Sequence, residues 1–451
     1  MPSESLNNVK LRIKRFAIAV LSVIQFCETS IKRRSLFGFK TIHFLSYHLN
    51  LKGHEWQKWE VVKREIQSIS LAHNGDPEEY RSQCEEHWKY RNSTLSDSLI
   101  IGDDFTKYIG HLGFGLATRI YHEMANPKTI PQTKIVYSQS CNSHLLESYF
   151  SDYFSVVKLQ NVAYETLLRL DVTRFENPAY IYTYGGAIET TQAQASFGDY
   201  VKQFEISSGY RYPGIFSLKD EDMSYKNSIL QHFGLDTDQD FVVVHIKNPN
   251  PFSFRGADPN NYVPCIEHIL NSGKAVFFLG ESTELTKHFR NAKNFFDLQL
   301  CKLRSPRMDL VLLSSCSLAL VTTSGPHTIP SLFGRPTLWT NAIGIARYLY
   351  FPHCTFIPKL FKKEGELITL SQMAKEPKKY FIDNNFNASR TDSYEIFEST
   401  PDEILDAFIN LQKSDFFPVH NYETTFLESV MGRRTSVVSN SFVEKNLDWF
   451  Q

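Results

Sequence analysis

Several patterns that define common functional classes are missing from this sequence. The seven cysteines stand far apart and form no C-x-x-C pair, so neither a zinc knuckle nor a disulfide framework is indicated. A formal net charge of −1 over 451 residues gives no global field that would recruit nucleic acid. We therefore expect a protein of the reducing cytoplasm that has no nucleic-acid partner.

Cofactor and metal motifs are equally weak. The pair Gly113-Phe-Gly115 lacks the third glycine and the acidic partner of a dinucleotide fingerprint, so we expect no NAD. Two Asp-x-Asp triplets, Asp220–Asp222 and Asp236–Asp238, resemble those that bind a metal–nucleotide in GT-A glycosyltransferases. There the triplet ends a buried strand, whereas here one lies in a charged stretch and the other in an acidic turn. We interpret both as solvated linker and predict no metal and no cofactor.

The first forty residues depart from the neutral average. Eight lysine and arginine residues stand against two glutamates, a local net charge of +6. They flank an uncharged dozen, residues 16–27, which is shorter than the roughly 20 apolar residues that span a bilayer. The segment fits a helix that lies on an anionic inner leaflet. The protein would then bind the membrane surface peripherally through residues 10–40. A helix packed on the protein's own core fits equally well.

Hydrophobic patterning divides the chain into four parts. We predict a basic and helical N-terminal extension, a first α/β domain, a second α/β domain, and C-terminal helices. Their predicted bounds are 1–95, 96–238, 239–410 and 411–451.

One stretch of the second domain carries the sharpest local signal. Leu318–Val321 reads as a buried parallel strand, and a loop of small polar residues follows it. Ser324 is a predicted N-cap, with Gly325 and Pro326 opening a short helix before a new strand at 337–340. Backbone N–H groups at such a helix start can meet an anion. An ordinary strand–helix turn without a ligand fits the pattern as well.

The second domain begins at another buried strand, Asp240–Lys247. His245 lies near its carboxyl end, the edge at which α/β proteins bind ligands, although a satisfied core histidine is the competing interpretation. A helix at Val263–Asn271 and another over residues 306–316 are predicted after it. The basic side chain of Arg255 lies in the loop between strand and helix.

These residues carry a family resemblance. Thr323-Ser-Gly-Pro-His followed by Leu332-Phe-Gly-Arg-Pro resembles the donor-binding loop of heptosyltransferase-type GT-B glycosyltransferases. With Thr340-Asn341, Phe254–Tyr262 and Ile109–Leu112 added, it is still more similar to a family of bacterial surface-polysaccharide glycosyltransferases. The resemblance covers roughly residues 100 to 400 and is strongest from 240 to 365.

The resemblance implies an α/β fold of GT-B type, in which two Rossmann-like domains face a cleft, here with an N-terminal helical extension. It also implies that the C-terminal helices over 411–451 cross back to the first domain. It implies metal-independent transfer of a sugar from a nucleotide-sugar donor to a glycan or lipid-linked acceptor. A non-catalytic subunit that binds a nucleotide sugar, and a sugar-nucleotide epimerase of the same fold, are the alternatives.

The resemblance also implies site residues. The donor-binding set is His245, Lys247, Arg255, Asp258, Thr323, Ser324, Gly325 and Lys359. Two positions depart from the family, because Lys247 stands where arginine is usual and Gly256 replaces an asparagine. The implied acceptor-side base is His111 in the glycine-rich loop, with Asp104 as its rival. His111 fits a phosphate contact or a loop hydrogen bond equally well.

Overall fold

The structure is a computed structural model, and it describes part of the chain. The described residues are 99–101, 106, 109–113, 120, 133–137, 140–158, 208, 212–249, 254–343, 353–375, 394–413 and 437–450. The basic N-terminal segment, Asp104 and residues 414–436 of the predicted C-terminal helices lie outside them. So does the helical extension expected before residue 95.

The described residues belong to two compact units that interleave along the sequence. The first takes its residues from 1–103, 131–140 and 154–177, and the second from 104–130, 141–153 and 178–451. The domain bounds expected from the sequence stay a prediction.

The first unit contains a three-stranded parallel sheet. Its strands β1 (Leu99–Ile101), β2 (Thr133–Tyr137) and β3 (Ser155–Lys158) pair in the order β1-β2-β3. Ile135 and Tyr137 are fully buried.

A seven-stranded sheet forms the core of the second unit, and all of its pairings are parallel. Its strand order is β13-β9-β8-β7-β4-β5-β6. The strands are β4 (Phe241–His245), β5 (Ala275–Phe278), β6 (Phe295–Asp297), β7 (Leu318–Val321), β8 (Thr337–Ala342), β9 (Cys354–Pro358) and β13 (Val437–Val438). From β4 the chain builds outward to β6 on one side, and from β7 it builds outward to β9 on the other.

This order is that of a Rossmann-type sheet, and it confirms the α/β class that the sequence predicted. Every residue of β5 and β7 is buried, as expected of parallel strands that are covered on both faces. How the two Rossmann-like domains of a GT-B protein would face each other here stays a prediction.

Short helices connect these strands. The described helices are α1 (Ile109–His111), α2 (Ser143–Ser148), α3 (Asp220–His232), α4 (Val263–Asn271), α5 (Thr283–His288), α6 (Pro306–Ser315), α7 (Thr328–Leu332), α8 (Leu370–Lys375), α9 (Pro401–Lys413) and α10 (Asn440–Lys445). Helix α4 has the predicted bounds. Helix α6 begins where Ser305 accepts the Met308 N–H at 3.1 Å and Pro306 occupies the first turn.

A small antiparallel sheet completes the second unit. Strands β10 (Leu360–Lys363), β11 (Glu366–Leu367) and β12 (Tyr394–Phe397) pair in the order β11-β10-β12. Among the described helices, none combines the length and the apolar character that crossing a membrane requires.

The interpretation of Asp220–Asp222 as solvated linker was wrong. The triplet forms the first turn of α3, and the Asp222 side chain is fully buried. Its carboxylate accepts from Tyr149 Oη at 2.7 Å and from Arg307 Nη2 at 2.7 Å, and His144 Nε2 lies 2.8 Å away. Burial raises the pKa of Asp222, but these hydrogen bonds together hold it below its usual value. A charged helix start that looked exposed is therefore an anchor.

His144, Glu221 and Asp222 also bring three potential metal-ligand atoms within 4.8 Å of one another. Arg307, however, donates to Asp222 through both Nε and Nη2. A guanidinium beside this carboxylate supplies the positive charge that a metal ion would otherwise bring, so we interpret the cluster as an ion-pair network. The expectation that the protein works without a metal stays a prediction.

We predict that Asp222→Ala destabilises the protein by about 3 kcal/mol, because Arg307 and the buried Tyr149 hydroxyl lose their common acceptor. The matched control is Asp220→Ala, which removes an exposed carboxylate from the same helix turn and should cost less than about 1 kcal/mol. Urea unfolding of the three proteins measures both. Equal stability of the two variants would contradict the buried role of Asp222.

Candidate functional site

The candidate site lies at the point of the seven-stranded sheet where the strand order reverses, between β4 and β7. Strands β4 and β7 are neighbours, and at their carboxyl ends His245 pairs with Val321. The loops that leave β4 and β7 go to opposite sides of the strand order, so a crevice opens between them in a sheet of this type. Apart from Lys359, which follows β9, the predicted donor-binding residues lie at the ends of these two strands or on the loops that follow them.

A side-chain hydrogen bond joins the two loops. Nδ1 of His245 lies 3.0 Å from the Ser324 hydroxyl oxygen, which also lies 3.1 Å from the Thr322 carbonyl. Because serine has one hydroxyl proton, His245 donates from Nδ1–H whenever that proton points to Thr322. Ser324 stands at the predicted N-cap of the short 3₁₀ turn Gly325–His327, but its side chain makes no capping bond. The hydroxyl is used to join the loops instead.

Two histidines lie at this point, the half-buried His245 and the buried His327, and both are neutral at pH 7. Burial lowers the pKa of His245 to about 4, and the nearby positive charges of Arg304 and Lys247 lower it further. Burial likewise lowers the pKa of His327 to about 4, although its bond to the Ser324 carbonyl opposes the change. The His327 ring stacks on Trp339 at a centroid distance of 5.3 Å. Neutral imidazoles act here as hydrogen-bonding groups of fixed position.

The glycine-rich loop of the first predicted domain packs directly on the Ser324–Gly325 turn. A Cβ atom on Gly110 would lie 2.6 Å from the Gly325 Cα, and a Cβ on Gly113 would overlap the Thr328 hydroxyl. Only glycine allows backbones to approach this closely. The backbone of His111 is therefore adjacent to this contact, in helix α1. Its role as a base stays a prediction, as does that of Asp104, which lies outside the described residues.

Two cations of the expected set lie close to each other. Burial lowers the pKa of Lys247, and the positive charge of Arg255 lowers it further, while Glu281 opposes both. The Lys247 backbone is fixed at the end of β4, because its N–H donates to the Thr322 hydroxyl at 2.9 Å and its carbonyl accepts from Ala257 at 3.0 Å. Like charges held together in a half-buried place favour an anion as their partner.

Three other expected residues have partners within the protein. The Thr323 hydroxyl is buried and accepts from Trp339 Nε1 at 3.0 Å and from the Ile343 N–H at 3.2 Å. Asp258 caps the 3₁₀ turn that precedes α4 by accepting from the Asn260 N–H at 2.9 Å. Lys359 is buried, and its ammonium donates to the Gly256 carbonyl at 2.6 Å. The structure thus gives these residues anchoring contacts, and their donor contacts stay a prediction.

Sequence reasoning missed the polar network that supports the loops. Tyr262 Oη lies 2.7 Å from the Thr340 hydroxyl and accepts from Asn341 Nδ2 at 2.9 Å. Asn341 Oδ1 accepts from the Ser399 N–H at 2.9 Å, and the Asn341 backbone has a φ of 52°. The Thr340-Asn341 motif was an available signal, because asparagine tolerates this left-handed conformation. No motif in the sequence pointed to Ser399.

Comparisons with known proteins complete the description. No protein-family model and no curated protein matches the chain. Among solved structures, ADP-heptose LPS heptosyltransferase II of E. coli aligns with 70% of this chain and 100% of its own, at 10% identity and a TM-score of 0.40. A family 9 glycosyl transferase from Veillonella parvula aligns with 70% of this chain and 97% of its own, at 11% identity and a TM-score of 0.41.

A UDP-GlcNAc 2-epimerase of Methanocaldococcus jannaschii aligns over 80% of this chain and 83% of its own, at 11% identity and a TM-score of 0.22. The solved structures include the class of protein that the loop motifs resemble.

Because His245 and His327 are neutral in the folded protein, we predict that its free energy of unfolding falls in acid. The unfolded chain binds protons on both with a pKa near 6.5, whereas the folded chain does not until about pH 4. Their contribution to stability is therefore complete above the unfolded pKa and is lost as the pH falls from about 6.5 to 4. Each histidine should lower the free energy of unfolding by about 2 kcal/mol when the pH falls from 7 to 5.

The measurement is urea unfolding of the wild type and of His245→Asn at pH 7 and pH 5. Whatever its stability at pH 7, the variant should lose about 2 kcal/mol less than the wild type over this interval. His288→Asn is the control, because His288 is exposed. An identical loss in His245→Asn and the wild type would show that His245 is not a buried neutral group.

Proposed function

We propose that this protein is a glycosyltransferase that moves a sugar from a nucleotide-sugar donor to a hydroxyl of a glycan or lipid-linked acceptor. One observation carries the proposal: the His245–Ser324 bond lies at the switch point of a Rossmann-type sheet, with Lys247 and Arg255 on the adjoining loop. Sheets of this type bind nucleotides at that edge. The motif resemblance to GT-B glycosyltransferases supports the same assignment.

The reaction breaks the bond between the sugar C1 and a phosphate oxygen and forms a bond from C1 to the acceptor oxygen. The leaving nucleotide takes the electron pair, so negative charge builds on its phosphate. Lys247 and Arg255 would offset this charge, as preorganised cations do in other phosphate sites. The acceptor hydroxyl gives its proton to a base, for which we propose His111, with Asp104 as the rival.

Ser324 would contribute a hydroxyl proton to the same phosphate. Its oxygen lies between His245 Nδ1 and the Thr322 carbonyl, so the proton can turn from that carbonyl to a ligand while His245 continues to donate. A phosphate bound here would accept this proton in place of the Thr322 carbonyl, and the His245 bond would be kept. Gly325 supports this arrangement because its own contact with Gly110 leaves room only for backbone.

The cellular setting belongs to the proposal as well. We propose synthesis of a surface polysaccharide in the cytoplasm, at the inner face of the membrane, from the motif resemblance and the basic, apolar N-terminal segment. Within the proposal, the nucleotide sugar is a substrate, and no metal or cofactor takes part.

The direct test is nucleotide binding. UDP, GDP, ADP and CMP should be titrated against the wild type and Arg255→Ala, and the nucleotide that binds best should lose roughly tenfold in affinity, because a charge-assisted bond is worth about 1.5–3 kcal/mol. Arg290→Ala, which removes an exposed arginine from the end of the α5 region, is the control for net charge. Unchanged affinity in a folded Arg255→Ala variant contradicts the proposed phosphate contact.

Turnover separates the candidate functions. Transfer that requires an acceptor identifies a glycosyltransferase, loss of donor without acceptor indicates an epimerase, and binding without turnover indicates a non-catalytic subunit. His111→Ala should then lower kcat at least about a hundredfold while donor affinity is kept, because removing a general base costs about 10²–10⁴ in rate. If kcat survives and only donor affinity falls, His111 is a binding residue.

A further inference from the structure

The segment that carries Arg255 is anchored from two sides. On one side it passes the end of β4 so closely that a Cβ on Gly256 would lie 2.3 Å from the Asn248 carbonyl oxygen and 2.6 Å from the Pro249 Cα. The Ala257 N–H donates to the Lys247 carbonyl at 3.0 Å in the same place. This contact places the backbone next to Arg255 beside Lys247.

On the other side an ion pair between the buried Lys359 and the half-buried Glu398 holds the segment. Lys359 Nζ donates to the Gly256 carbonyl at 2.6 Å and to Glu398 Oε1 at 3.2 Å, and Glu398 Oε2 accepts the Asp258 N–H at 2.7 Å. One ammonium and one carboxylate thus bind a carbonyl and an amide two residues apart. The pair fixes the direction in which the backbone leaves Arg255.

The surroundings of Lys359 argue against a direct contact with the donor phosphate. Its side chain is 3% exposed, and its charge is balanced by the carboxylate of Glu398, which is 28% exposed. Two of its three N–H donors already bind protein oxygens. An ammonium that served the phosphate would have to give up one of these protein oxygens in a buried place, which is costly.

We infer that Lys359 and Glu398 are positioning residues, which hold the Gly256 carbonyl and the Asp258 amide so that the Arg255 guanidinium meets the donor phosphate. This inference deepens the proposed function and rests on it. It changes the expected role of Lys359 from a ligand of the phosphate to a group that acts through Arg255.

A double-mutant cycle tests the inference. Lys359→Met, Arg255→Ala and the double variant are titrated with whichever of UDP, GDP, ADP and CMP binds the wild type best. Lys359→Met should lower affinity roughly tenfold in the wild type but less than about twofold in the Arg255→Ala background, because residues that act through one another are not additive. Losses that multiply would overturn the inference, since they would mean that Lys359 contacts the phosphate independently.

Two further variants control for charge and folding. Lys363→Met removes an exposed lysine four residues along and should leave affinity unchanged. Glu398→Ala removes a negative charge near the site, so simple Coulomb attraction predicts tighter binding of an anion, whereas loss of positioning predicts weaker binding. Tighter or unchanged binding would overturn the inference, and this variant serves if Lys359→Met fails to fold.

Hydrogen–deuterium exchange separates this inference from the proposed function. In the ligand-free protein, Lys359→Met and Glu398→Ala should speed exchange at the Ala257 and Asp258 amides roughly tenfold, and Lys363→Met should not, because local opening governs exchange. Failure of the wild type to bind any of the four nucleotides refutes the proposed function alone. Unchanged exchange at these amides refutes the positioning role even if a nucleotide binds.

Discussion

The hydrogen bond between His245 and Ser324 joins the two loops on which the candidate site depends. Its partners lie 79 residues apart in sequence and meet because β4 and β7 are adjacent at the switch point of the sheet. Around this bond the chain keeps its imidazoles neutral by burial and leaves the charged groups on the neighbouring loop. The candidate site therefore combines neutral imidazoles with the cationic side chains of Lys247 and Arg255, a combination that favours an anionic ligand.

Rigidity in this region comes from polar groups, although the surrounding core is apolar. Thr323, Tyr262 and Asn341 are buried, and each has hydrogen-bond partners among neighbouring elements. An unpaired buried polar group typically costs about 1–3 kcal/mol, so such a network has few alternative arrangements. Apolar side chains of similar volume would pack with less directional preference. The network thus fixes where each loop leaves its strand.

Local patterns in the sequence predicted the elements well and the site only in part. The bounds of β7 and α4 follow from an apolar run and from proline and asparagine at the helix ends, which are local signals. Asp222 was misread because burial of a charged residue depends on partners such as Tyr149 and Arg307, which lie 73 and 85 residues away. No periodicity in the sequence reports such contacts.

The same reason explains why the role of Lys359 was not foreseen. A family motif indicates that a lysine belongs near the site, but it does not indicate which way the ammonium points. Its partners, Gly256 and Glu398, are 103 and 39 residues distant. Only the pairing of β8 with β9 and the return of the chain before α9 bring the three together.

The electrostatic surroundings of Lys359 and Lys247 differ. Lys359 has its counter-charge within the protein, and its burial is tolerable for that reason. Lys247 is half-buried with Arg255 nearby, so its charged form is disfavoured by both burial and repulsion, and Glu281 offsets this only in part. Within the proposed function, an anion near Lys247 and Arg255 would reduce this repulsion and favour the charged form of Lys247. The buried Lys359, by contrast, already has its counter-charge in Glu398.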